Sequence, residues 1–165
     1  MNQLPRDESF DGMFHQLYPR AVRLARRILG DTAAAEDVAA EALARAFASW
    51  PKVRELPYRD AWVLRVTSNL AIDAARRHQP RVVATEPIDL EETTAVRVAL
   101  VAALRALPRR QRDVIALRYL AGLSEAEIAA SLDIALGTVK THIHRGVAGL
   151  RRRLGDTFQE NTLAG

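Results

Sequence analysis

The sequence predicts an all-α protein built as two small helical domains joined by a short acidic linker. Three observations lead there. Aromatic residues make up only 5% of the chain, and alanine and leucine dominate, a balance that favours helix. Apolar residues recur at intervals of three and four along most of the chain, with no convincing alternation of the kind a strand would show. Between Pro80 and Glu92 that period stops, and two prolines and four acids cluster instead. The expected division is a first domain over 1–80, a linker over 81–95, a second domain over 96–154 and a flexible tail over 155–165. With 165 residues, 48% of them hydrophobic, the chain has enough apolar material for one core or two small ones.

The elements follow in order. Phe10, Phe14, Leu17 and Tyr18 open an amphipathic helix, in which Pro19 is expected to start a new turn or a kink. Val22, Ala25, Ile28 and Leu29 continue its apolar face, with Arg20, Arg23, Arg26 and Arg27 around it. Gly30 is a helix stop and Asp31 the next N-cap. An alanine-rich helix follows from Thr32 to about Ser49, carrying Glu36, Asp37 and Glu41 as an acidic patch. Most such patches are solvated faces. Trp50 and Pro51 end that helix, and a loop runs from Pro51 to Pro57. A long helix from about Arg59 to His78 carries Trp62, Val66, Leu70 and Ala74 four apart, with Asn69, Asp73, Arg76 and Arg77 among its polar groups. Beyond the linker, Val96, Leu100, Ala103, Leu104 and Leu107 mark another helix. Pro108 opens the next, which holds Val114, Ile115, Leu117 and Leu120 and stops at Gly122.

The stretch from Leu123 to Leu154 carries the clearest functional signal. Ser124 with Glu127 three residues on makes a capping box, and Leu123 with Ile128 a hydrophobic staple. Asp133, Ile134 and Ala135 form a turn. A second helix starts near Leu136, with Val139, Ile143, Val147, Leu150 and Leu154 as its buried stripe. At about 100° per residue, Thr138, Thr141, Arg145 and Arg152 then face outward, flanked by Lys140 and His144. A buried aliphatic stripe opposite a basic, hydroxylated face suits the major groove. Arg and Lys bond guanine edges or phosphates, and Thr bonds bases or touches a thymine methyl. The reading is a helix-turn-helix whose second helix reads DNA, against the plainer alternative of a solvated hairpin in a helical bundle.

Charge follows the same division. The formal net charge is +4, but Val96 to Leu154 holds eleven basic residues against four acidic, whereas Arg81 to Ala95 holds one against four. The basic block coincides with the helix-turn-helix, as phosphate binding requires. There is no cysteine, so no disulfide framework and no thiolate metal site, which suits the cytoplasm. The N-terminus lacks a signal peptide's apolar run, and no segment is long enough to span a membrane.

Two halves in one order carry a resemblance. LPRRQRDVIALRYLAGLSEAEIAASLDIALGTVKTHIHRGVAGLRRRL resembles region four of bacterial RNA polymerase sigma factors. GDTAAAEDVAAEALARAFASW followed by AWVLRVTSNLAIDAARR resembles region two, in the compact extracytoplasmic-function group. The resemblance implies a sigma region 2 bundle and a sigma region 4 helix-turn-helix, and a protein that is not an enzyme. It would join core RNA polymerase, recognise promoter DNA and help open the duplex. Its positions for the duplex minus-thirty-five element match Lys140, Thr141, His144 and Arg145, beside Thr138. Its polymerase-clamp contact matches Glu36, Asp37, Ala40 and Glu41, with Ala40 where the family usually has glutamine. Its single-stranded minus-ten element is read by a loop matching Lys52 to Tyr58, with Val53 where an aromatic is often found. Trp62 and Asn69 match the melting surface, and Arg65, Arg76 and Arg77 are placed to hold phosphates. The linker would thread the polymerase channels. An anti-sigma factor is a further partner the resemblance implies, and no cofactor or metal is called for.

Three other readings compete. A response-regulator type of transcription factor can end in a similar GTVKTH run, but its partner domain would be an α/β receiver. A helical-bundle enzyme would need a spaced acid–base or metal set, which His15, His78, His142 and His144 do not provide; His142 and His144 point different ways on one helix. A helical adaptor has no use for the basic C-terminal block.

Overall fold

The computed structural model describes residues 9–77 and 90–163, and every regular element among them is helical. Helix α1 spans Phe10–Leu29, α2 Thr32–Ala48, α3 Trp50–Val53 and α4 Arg59–Arg77. In the second half α5 spans Leu90–Ala106 and α6 Arg109–Ile115, running on through a π turn at Ala116–Leu120; α7 spans Glu125–Leu132 and α8 Leu136–Leu163.

Local chemistry sets most of these ends. The Ser9 side chain accepts from the Gly12 amide to start α1, and Asp31 accepts from Ala34 at 2.9 Å to start α2. Gly30 closes α1 in the left-handed region, at φ 69°, with its amide donating to the Arg26 carbonyl. At the start of α7 the capping box forms in both directions. The Ser124 amide donates to Glu127 Oε2 at 2.7 Å, and the Glu127 amide donates to Ser124 Oγ at 3.2 Å. Leu123 and Ile128 are both buried in one cluster, as a staple requires.

Several elements depart from the sequence expectation. Helix α1 passes through Pro19 without a break, because Met13, Leu17, Ala21 and Leu24 are buried on both sides of it and hold the axis. The loop expected after Trp50 begins with a helical turn, α3, which has Pro51 in its first positions. Helix α5 starts at Leu90, inside the expected linker; residues 78–89, which make up the rest of that linker, lie outside the described residues. Val96 is exposed, and the buried face of α5 is Val101, Ala103 and Leu104, with Leu107 buried just beyond its end. Helix α8 continues to Leu163, through the stretch expected as a flexible tail. No proline interrupts that stretch, and a single glycine does not stop a helix already nucleated.

Helix α4 gives the largest correction. Its buried residues are Ala61, Val63, Leu64, Thr67, Ser68, Ala71 and Ile72, not the stripe Trp62, Val66, Leu70 and Ala74, which is only half-buried. The two buried hydroxyls are satisfied within the helix: Thr67 Oγ1 donates to the Val63 carbonyl at 2.8 Å and Ser68 Oγ to that of Arg65 at 3.0 Å.

The main core crosses from one half of the chain to the other. Leu24 and Ile28 of α1, Val38 of α2, and Leu64 and Ile72 of α4 share one buried cluster with Val114, Leu117, Ile128 and Val139 of the second half. A smaller cluster of Met13, Leu17, Leu43 and Val63 lies at the other end of the first half, covered by Phe10, Phe14, Trp50 and Trp62. A third, of Leu104, Leu107 and Ile115, seats the C-terminal part of α8 through Val147 and Leu150. That seat depends on close approach. A Cβ on Gly146 would lie 2.7 Å from Ile115 Cγ1, and one on Gly149 would lie 2.8 Å from Leu107 Cδ2, so bare backbone lets α8 settle onto α5 and α6.

Candidate nucleic-acid interface

Three surfaces hold the side chains of interest. The first is the outward face of α8. The turn between α7 and α8 is held by Asp133, which adopts a left-handed φ of 51° and donates its amide back to α7 carbonyls. Val139 is fully buried and Ile143, Val147, Leu150 and Leu154 are half-buried, so the stripe faces inward. Thr138, Lys140, Thr141, His144, Arg145 and Arg152 are all exposed. The Thr141 hydroxyl donates to the Gly137 carbonyl at 3.0 Å, which leaves its lone pairs and methyl group to meet a partner. His144, Arg145 and Arg152 line one concavity of about 580 Å³ together with Gln111 of α6. Gln111 was not among the expected contacts, because only the packing of α6 on α8 brings it there.

The second surface is the face of α4. Trp62, Arg65 and Asn69 come together around a cavity of about 470 Å³. Its opposite wall is Arg109 and Arg112, from α6 in the other half of the chain. Those two arginines were not singled out from the sequence, though the run PRRQR carries the charge that marks them. Arg76 lies two turns beyond Asn69 on nearly the same side of α4. It lines a different cavity, of about 180 Å³, with Arg97 and Arg105. Arg77 is exposed at the end of the helix. In the preceding segment Val53 is 2% exposed and belongs to the core, so it offers no face to a base. Tyr58, at 40% exposure, is the accessible aromatic there.

Arg65 has a partner. Its Nε lies 3.7 Å from Oδ2 of Asp113, which is 1% exposed, and neither oxygen of that carboxylate accepts a hydrogen bond. A buried carboxylate held by one long ion pair is costly, since desolvation offsets much of the attraction.

The third surface is the acidic face of α2. Glu36, Asp37, Ala40 and Glu41 are all exposed. They are not equivalent. Glu41 Oε1 accepts from Arg45 Nε at 2.8 Å, one turn on, and Glu36 borders a concavity lined by Arg23, Arg26 and Arg97. The patch therefore repels itself less than its sequence alone suggests. Asp37 makes no ion pair among the described residues.

Among the described residues no group of three or more histidines or acids is placed to hold a metal ion, and no helix is long and apolar enough to cross a membrane.

Comparison with known proteins adds to this geometry. Residues 13–81 match the family described as Sigma-70 region 2, and residues 97–150 match Sigma-70, region 4. The chain is 34% identical over 139 residues to the RNA polymerase sigma-E factor of Streptomyces coelicolor, covering 81% of this chain and 78% of that one. It is 34% identical over 154 residues to the ECF RNA polymerase sigma factor SigW of Bacillus subtilis, covering 81% and 82%. With SigL of Mycobacterium tuberculosis it shares 38% identity over 145 residues, covering 80% and 81%. In fold it is similar to CnrH, solved in complex with the cytosolic domain of CnrY, with a TM-score of 0.60 and 23% identity over 89% of this chain and 88% of that one. It is likewise similar to the sigma factor RpoE of Bartonella quintana, solved with the anti-sigma factor NepR, with a TM-score of 0.54 and 22% identity over 88% and 96%.

Proposed function

The chain belongs to the extracytoplasmic-function group of RNA polymerase sigma factors, and from that premise we propose how its surfaces divide the work of promoter-specific initiation. A sigma factor binds core RNA polymerase and directs it to promoters. It is a regulatory subunit, and in our reading this one has no catalytic site of its own and acts in the cytoplasm, where polymerase and DNA meet.

The observation that carries the division is the exposed face of α8, with a buried aliphatic stripe behind it. Lys140, Thr141, His144 and Arg145 read the duplex minus-thirty-five element, with Thr138 and Arg152 at the edges of the contact. The charge of that half draws the helix to the phosphates, and the few side chains reaching base edges supply the choice of sequence. The α4 face takes the single strand of the minus-ten element. Trp62 offers a stacking plane, Asn69 a polar contact, and Arg65, Arg76 and Arg77 positive charge along the strand. Tyr58 takes the stacking role that Val53 cannot fill. Asp37, with Glu36 and Glu41, meets a cationic surface of the polymerase clamp, where the exposed Ala40 adds no polar contact. The first domain extends to about residue 80 and the second begins with α5, so that each element has its own reader. An anti-sigma factor is a further partner, in line with the complexes in which CnrH and RpoE were solved.

The test is run-off transcription with purified core polymerase over a promoter library. Core-dependent initiation from a subset of promoters sharing an upstream and a downstream element is the expected result. No core-dependent initiation from any of them would remove the reading.

A further inference from the structure

We propose that the cavity of about 180 Å³ bordered by α1, α4 and α5 binds a small amphiphilic anion, a carboxylate on a short aliphatic body. The proposal stands on this cavity alone and does not depend on the promoter-reading role.

The lining divides by chemistry. Ile28 and Leu29 from the end of α1, Ala75 from α4, and Val98, Val101 and Ala102 from α5 make an apolar surface. Val98 is 53% exposed, so part of that surface is open to water, and covering it is favourable. The other part of the lining is Arg76, Arg97 and Arg105, with no acidic residue beside them. Val98, Val101 and Arg105 follow at helical spacing, so one face of α5 supplies both an apolar wall and a cation. None of the three arginines makes an ion pair or a hydrogen bond among the described residues.

Each arginine has a local reason to stand where it does. Arg76 and Arg105 lie in the last turns of α4 and α5. The Arg97 guanidinium lies against Gly30, the C-cap of α1. The carbonyl end of a helix favours a cation, so the fold tolerates each charge singly. Helix ends do not explain why three such charges converge on one apolar cavity. Together they repel, and an anion placed among them relieves that repulsion.

The class of ligand follows from both parts of the lining. A guanidinium fork takes a carboxylate through two parallel N–H···O bonds. An inorganic anion would answer the arginines and leave the apolar surface wet. A neutral apolar molecule would cover that surface and strip water from cations it cannot pair. The volume is below the roughly 300–1,000 Å³ of cavities that take drug-sized molecules, which limits the body to a short chain.

The test uses the full chain and octanoate as the probe, by titration calorimetry at neutral pH and physiological ionic strength. One octanoate should bind per chain, about tenfold or more tighter than octanol or inorganic phosphate. Hexanoate should bind about four- to fifteen-fold more weakly, as for one or two methylenes fewer in the apolar part. Arg76 is assigned above to the promoter strand, so the variants leave it intact. Arg105 and Ala102 are exposed, and substitutions there should leave the fold unchanged. Arg105→Ala should weaken octanoate about tenfold, as for one charge-assisted bond lost. Ala102→Phe narrows the cavity without changing charge and should weaken it comparably. Arg23→Ala with Arg26→Ala removes two charges from a neighbouring concavity and should change affinity by no more than about twofold, since such charges are screened. No saturable binding, or octanol or phosphate bound as tightly as octanoate, would overturn the proposal. So would unchanged affinity in Arg105→Ala or Ala102→Phe, each shown by circular dichroism to be folded. An equal loss in the Arg23 and Arg26 variant would also overturn it, because diffuse positive charge rather than this cavity would then hold the anion.

Discussion

At the scale of single residues, the strongest expectations concern side chains whose surroundings leave them one role. Arg145 and Lys140 are exposed on α8, so their loss should barely touch stability, within about 0.5 kcal/mol. If Arg145 bonds a base edge, Arg145→Ala should remove about 1–3 kcal/mol of discrimination between promoters and relax the choice at one position. If Lys140 meets only phosphate, Lys140→Ala should weaken all sequences alike and lower the salt slope of binding by about one. Gel-shift titrations of holoenzyme on upstream-element variants at several salt concentrations separate the two. Gly30 is constrained in the opposite way, by the backbone. Its φ of 69° lies where a Cβ is strained, and that Cβ would also meet the guanidinium of Arg97. Gly30→Ala should therefore destabilise by about 1–2 kcal/mol, read as a lower midpoint in urea. An unchanged midpoint would mean that the end of α1 relaxes freely. Such local features can be read from sequence, because a helix stop and a basic outward face are written within a few residues. The pairing of Arg65 with Asp113 cannot, because it joins distant stretches through the fold.

At the scale of elements, caps and surfaces make separate predictions. The capping box at Ser124 sets where α7 begins, so Ser124→Ala should cost about 1 kcal/mol and fray the first turn of α7. Thermal melts of the free protein would show it, and an unshifted midpoint would mean that packing of Leu123 and Ile128 alone fixes the start. On α2, Asp37 is the cleaner probe of the proposed clamp contact, since Glu41 already answers to Arg45. Asp37→Lys should cost about 2–5 kcal/mol in core-polymerase affinity, as for a charge opposed across a buried interface. A solvated, unpartnered position would change affinity little. Affinity measured alongside circular dichroism decides between them, and equal affinities would move the clamp contact elsewhere. Several elements announced themselves in the sequence: α2 and α7 through a cap residue, Asp31 and Ser124, and α1 and α8 through a clear period. What the period did not yield was the core face of α4. That helix is apolar on two sides, with Leu64, Ala71 and Ile72 toward the core and Trp62, Val66 and Leu70 toward the cavity. Four-residue spacing alone picks the side with the larger residues. The same limit applies to the proposed melting surface, whose members are named one by one from the sequence while the wall facing them, Arg109 and Arg112, depends on where α6 comes to rest.

At the scale of the whole molecule, the two halves, to which we assign separate tasks, share one buried cluster, and this has a consequence for how the protein unfolds. Composition marked the division between the halves but contained nothing about their contact, because apolar residues that meet across an interface look like any other core residues. Leu117, from the π turn after α6, is fully buried in the cluster that also holds Leu64 and Ile72 of α4. Removing its side chain to Cβ should cost about 2–5 kcal/mol, as for a buried leucine whose cavity does not collapse. The two tryptophans, Trp50 and Trp62, both lie in the first half, so their fluorescence reports that half and, through Trp62, the cavity it shares with α6, while circular dichroism reports all the helices. If the core is continuous in solution, the two signals should melt together in the wild-type protein, as a cooperative unit does. Leu117→Ala should then lower both midpoints together, by on the order of 4–20 °C, taking about 2–4 °C per kcal/mol for a chain of this size. If the halves are joined only by their linker, the tryptophan transition should stay where it was, and only the helical signal of the second half should shift. That result would show that the two halves already move apart in the free protein and that the shared cluster adds nothing to the stability of the first half.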